Sequence, residues 1–176
     1  QKLKKQDPEH PKVFLTSAFN DITAREMYAR GAEGFIDKPF NLTALVETVR
    51  KALLTNESRW VNTPPPPPRS CLQMAFSSEE EAFRQAGLQM GRGGFSVAAK
   101  KFLGEPNQTV AFDIRAAKLV IQGVGIVRWK HSVAQAESPY FGIEITSLQK
   151  QSLEVMSQWL DSNKPIAYIP DHPHSP

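Results

Sequence analysis

The chain has 176 residues, 40% of them apolar, which suits one or two small domains with ordinary cores. Its 21 basic and 18 acidic residues leave a net charge of +3 without a long run of one sign, which gives no argument for a nucleic-acid partner. A single cysteine excludes an internal disulfide framework and suits a reducing cytoplasm, and no stretch reaches the roughly 18 apolar residues that a membrane span needs.

The opening Gln1-Lys2-Leu3-Lys4-Lys5 carries no secretory pattern and no initiator Met, so the true N-terminus is read as missing. Val13-Phe14-Leu15, ending in Thr16-Ser17, predicts a buried strand. Asn20 or Asp21 is placed to cap a helix carrying Ala24, Met27 and Tyr28, which Gly31-Ala32-Glu33-Gly34 ends. Gly34-Phe35-Ile36 predicts a second strand. After Pro39, Asn41 is placed to cap a helix with Leu42, Leu45, Val46, Val49 and Leu53 on one stripe. Strands alternating with helices imply a parallel sheet, and two of each are half of what such a sheet needs. Pro64 to Pro68 are five consecutive prolines, read as a semi-rigid spacer or as a ligand for an aromatic groove.

Beyond the prolines, short apolar runs are separated by glycines and charged turns: Leu72 to Phe76, Gly94 to Ala98, Thr109 to Ile114, Lys118 to Trp129 and Tyr140 to Ile145. That spacing predicts an all-β barrel or sandwich, with a turn around Asp113, Arg115 and Lys118. Leu148, Leu153, Met156, Trp159 and Leu160 predict a closing helix, ended by Asn163 and Pro165. The boundaries expected are an α/β unit at 1–58, a linker at 59–70, a β-domain at 71–162 and a tail at 163–176, loose from Asp171 onward.

Val13 to Ala18, followed by Gly31-Ala32-Glu33-Gly34-Phe35-Ile36-Asp37-Lys38-Pro39-Phe40, resembles the C-terminal half of a response-regulator receiver domain. The resemblance implies a doubly wound parallel α/β sheet, incomplete here. It implies that Lys38 pairs with a phosphoryl group, that Pro39 follows a cis peptide, that Ser17 is the switch hydroxyl and that Phe35 is the aromatic that moves with it. The acidic pair that holds Mg²⁺ and the phosphorylated aspartate belong to the first half, which Gln1 to Gln6 would end. Asp7, Asp21 and Asp37 are misplaced to replace them, so this chain is expected to hold no cofactor of its own. A truncated receiver and a natural docking remnant both fit. A complete receiver would imply a cognate histidine kinase.

Leu88 to Val97 resembles the signature turn of PilZ domains, and 70–162 follows the strand pattern of that family. The family implies a β-barrel with a C-terminal helix that often binds cyclic di-GMP through Arg-x-x-x-Arg and Asp-x-Ser-x-x-Gly. Here Gln89 stands at the acidic position and Gly91 at the serine, and only Gly94 remains of the turn. No Arg-x-x-x-Arg occurs, and Ser78-Glu79-Glu80-Glu81 would repel a dianion. Arg92 and Arg128 are the remaining anion contacts, or else solvated surface. Gly91, Gly93 and Gly94 form either a phosphate nest or a tight turn needing positive φ. Trp129 is read as packing. Cys71 is read as a small core or linker residue, and His172 and His174 lack further metal ligands.

Three functions follow as expectations. The first is a bacterial two-component signalling adaptor, in which the receiver-like unit controls a degenerate PilZ-like domain that binds a protein, in pathways such as motility. The second is a cyclic di-GMP effector using Arg92 and Arg128. The third, an enzyme, lacks a paired carboxylate, metal set or triad to support it.

Overall fold

The computed structural model describes residues 12–17, 22–61, 67–132 and 138–171. Strand β1 (Phe14–Ser17) runs parallel to β2 (Gly34–Asp37), with Leu15 opposite Phe35 and Ser17 opposite Asp37. Helix α1 (Ala24–Ala29) lies between them in the chain. Thr23 is its N-cap: the Thr23 hydroxyl accepts from the Glu26 N–H, and the Glu26 carboxylate accepts from the Thr23 N–H. The cap expected at Asn20 or Asp21 falls outside the described residues. Gly31, at φ 95°, ends the turn in a conformation that costs glycine little. The Lys38–Pro39 peptide is cis. Asn41 caps α2 (Leu42–Leu53), its Oδ1 accepting from the Thr43 N–H at 2.8 Å. A short helix α3 (Asn56–Trp60) follows, capped by Thr55.

The doubly wound parallel sheet is corrected by this structure. Among the described residues β1 and β2 pair only with each other, and the main sheet is a curled, mixed half-barrel of six strands. A parallel sheet needs helices over both faces. Here α1 and α3 turn their buried residues toward the six-stranded sheet instead. Tyr28 of α1 stacks on Tyr168, and Trp60 of α3 is wholly buried in the main core. Burying a tryptophan and a tyrosine there removes large aromatic surfaces from water, which favours this docking.

The six strands are β3 (Ser70–Phe76), β4 (Gln89–Met90), β5 (Gly94–Ala98), β6 (Thr109–Ala116), β7 (Leu119–His131) and β8 (Tyr140–Leu148). Their order across the sheet is β3-β6-β7-β8-β5-β4. The β3–β6 pair is parallel and the other pairs are antiparallel, so the expected all-β unit is a mixed sheet, curled into a half-barrel. Residues alternate inward along β6, where Val110, Phe112, Ile114 and Ala116 are buried. A two-residue turn at Ala117-Lys118 joins β6 to β7, and Asp113 and Arg115 pair with each other just upstream.

Helix α4 (Lys150–Asn163) closes the sheet. Met156 is fully buried, and the Ser152 hydroxyl accepts from the Gln122 N–H and donates to the Val120 carbonyl. Three further expectations change. Arg59 and Trp60, placed in the linker, are buried residues of a helix. Tyr168 and Ile169, placed in the tail beyond the β-domain, are buried. Cys71 is exposed on β3 rather than in a core.

Candidate functional site: an arginine and tyrosine junction

The short connection between β4 and β5 is Gly91-Arg92-Gly93, and it lies against residues 166–170. The Gly91 N–H donates to Gly94 O, the Arg92 N–H to Ala167 O, and the Gly93 N–H to Tyr168 O. These donors are used up, so the connection is not a phosphate nest. Nor do Gly91, Gly93 and Gly94 need positive φ. They are glycine because a Cβ would strike backbone or ring atoms: Tyr168 O at Gly91, the Tyr168 ring at Gly93, and Ile143 O at Gly94.

This close approach buries Arg92 to 4% exposure. Its Nη1 donates to Glu33 Oε1 at 2.7 Å, its Nη2 to Gly31 O at 2.8 Å, and its Nε to Ile166 O at 3.2 Å. Glu33 is equally buried, and its Oε2 accepts from the Val13 N–H at 2.7 Å. A guanidinium taken out of water needs such a set of acceptors, and a bare one would be costly. The segment 12–61 supplies two of the three.

Tyr168 is the centre of the junction. Its N–H donates to Tyr28 O at 2.9 Å, and the two rings stack with centroids 6.0 Å apart. Its hydroxyl donates to Glu144 Oε1 at 3.1 Å and accepts from Arg59 Nη1 at 3.2 Å. The Arg92 guanidinium lies 6.0 Å from the ring centroid, within cation–π range. Glu144 is in turn gripped by Arg128 through Nε and Nη2. Burial pushes the Tyr168 phenol far above its ordinary range, and the Glu144 carboxylate adds to this, while Arg59 opposes it. For Arg128 burial works against the charge, but Glu144, with Tyr28 and Tyr168, outweighs it and holds the guanidinium above its usual value.

The two arginines singled out in the sequence therefore meet at one junction, each already paired with a glutamate. Gly94 sits beside them at the start of β5. Comparison with protein-family models, curated proteins and solved structures found no match. The receiver and PilZ resemblances thus rest on the motifs already quoted.

The other sequence candidates lie elsewhere. Ser17 ends β1 opposite Asp37, so its backbone and that of Lys38 share one end of the β1–β2 pair. Phe35 is in β2; the side chains of Ser17 and Phe35 are outside the described residues. Lys38 and Pro39 are exposed. Among the described residues no three His, Cys, Asp or Glu lie close enough to hold a metal ion. His172 and His174 fall outside the described residues. No helix among them is long and apolar enough to cross a membrane. Arg59, Glu144 and Tyr168 were missed by sequence reasoning. The run Ile166-Ala167-Tyr168-Ile169 was the available signal, since four such residues are out of place in a solvated tail.

Proposed function

We propose that this chain is a bacterial signalling adaptor, acting in the cytoplasm, in which segment 12–61 with its receiver-like motifs governs the β-domain, and the β-domain acts by binding a protein. The observation that carries this reading is the Arg92–Glu33 pair at 2.7 Å, buried on both sides, which joins the segment to the β4–β5 connection. A buried pair of this kind is weak as a source of stability and well suited to fixing one arrangement against others. A shift in segment 12–61 that withdraws Glu33 and Gly31 leaves Arg92 without two acceptors, so the connection has to rearrange with it.

A second reading keeps cyclic di-GMP as ligand. It is favoured by an open cleft of about 360 Å³ lined by Asn56, Arg92, Ser157, Asp161 and Lys164. Two cations reach that cleft, but three of the five N–H donors of Arg92 are already bonded to Ile166 O, Glu33 and Gly31 O. Calorimetry with cyclic di-GMP and the full chain separates the readings. The adaptor reading expects no heat from the native chain. Micromolar binding that is lost in Arg92→Ala would replace it with the nucleotide reading. Hydrogen exchange supplies the positive test: Glu33→Gln is expected to speed exchange at the β4–β5 connection and along β8. Unchanged rates there would show that the segment does not govern the sheet.

A further inference from the structure

The two edges of the six-stranded sheet differ. The β4 edge is two residues long, which blunts it. The β3 edge is seven residues long and pairs on one side only, with β6. Natural edge strands of that length are guarded by lysine, proline or a bulge. Ser70-Cys71-Leu72-Gln73-Met74-Ala75-Phe76 contains no charge, no proline and no glycine. Alternate N–H and C=O groups along it point away from β6 and meet no backbone partner among the described residues.

Beside this edge runs a slot of about 430 Å³. One wall is β3 from Cys71 to Met74, and the other is the turn from Ala98 to Phe102. Lys100 and Lys101 stand exposed on that second wall and form no ion pair among the described residues. The next residue past Phe102 is Leu103, which is 83% exposed, the most exposed of the large apolar side chains described. The slot thus offers unpaired backbone on one side and two free cations with an apolar step on the other.

We propose that β3 is the docking edge for an extended segment of a partner protein with alternating apolar and acidic residues, which joins the sheet as an additional strand. Main-chain hydrogen bonds to β3 supply affinity. Carboxylates facing Lys100 and Lys101 set the choice of partner, and alternate apolar side chains settle against the half-buried Met74. The inference goes beyond the adaptor reading, since it needs no change in segment 12–61: β3 has no second strand partner among the described residues.

The test uses the full chain and a seven-residue capped peptide of alternating valine and glutamate. Amide exchange along β3 is expected to slow about tenfold at alternate residues. The matching valine–lysine peptide is expected to bind about tenfold more weakly. The double variant Lys100→Glu/Lys101→Glu, confined to an exposed turn, is expected to reverse that preference. Two results would overturn the proposal. One is β3 exchange indifferent to the acidic peptide, or equal for both peptides. The other is β3 protection that rises with protein concentration alone, together with a sedimenting dimer, which would assign the edge to a second copy.

Discussion

Arg92 and Glu33 are charges held out of water, so each exists only on the condition that the other is present. Glu33→Gln leaves the guanidinium buried without its counter-charge and is expected to cost about 3 kcal/mol in urea unfolding. Adding Arg92→Met to the same chain removes the stranded charge and is expected to recover most of that loss. A double variant no better than the single one would mean that shape, not charge, holds the junction. Tyr168 makes a different prediction. Its folded phenol ionises far above the ordinary range. Below about pH 10 both folded and unfolded forms are neutral and the contribution is intact. Above that, the unfolded chain loses the proton while the folded one keeps it, so stability falls as pH rises. Tyr168→Phe is expected to flatten this alkaline fall. An unchanged slope would locate the effect in other groups. At this scale the sequence made Arg92 and Arg128 legible as unusual cations. It could not supply their partners, because Glu33 lies 59 residues from Arg92 and only folding brings them together.

Local signals were the readable ones among the elements. Asn41 caps its helix and Gly31 ends another, because a cap or a positive φ is decided within a few residues. The apolar runs at Gly94 to Ala98, Thr109 to Ile114 and Tyr140 to Ile145 are strands, because a period of two needs only neighbours. Pairing was not readable. Nothing in Leu72 to Phe76 says that it lies parallel to β6, and nothing in Asn56–Trp60 says that a helix of five residues drives its last side chain into the barrel. So short a helix has no stability of its own. It is held by Trp60, fully buried, whose Nε1 donates to Ile145 O at 3.1 Å. Trp60→Phe keeps an aromatic ring but strands that carbonyl, and is expected to lower stability by about 2 kcal/mol, read as a lower urea midpoint. A midpoint that does not move would mean that α3 is only laid against the sheet.

For the whole molecule, the expectation of an α/β unit hinged to a separate β-domain meets a different arrangement. Trp60 belongs to the main core and Tyr28 to the cluster around Tyr168, so segment 12–61 and the sheet share buried residues. Unfolding is therefore expected to be a single transition: tryptophan fluorescence and far-ultraviolet circular dichroism should give coincident urea curves. Two separated midpoints would restore the hinged picture. The parallel β3–β6 pair also fixes an order of assembly. Ser70 meets Val110 across about forty residues, and β4 and β5 lie in the intervening chain. The β6–β7 hairpin closes through a two-residue turn and can form on its own timescale of microseconds. Strand β3 has to wait for it, since the entropy of closing a long loop is spent before any ladder bond returns it. During refolding the chain therefore passes through a stage in which an uncharged seven-residue strand is free on both sides, and the yield of native protein should fall as refolding concentration rises.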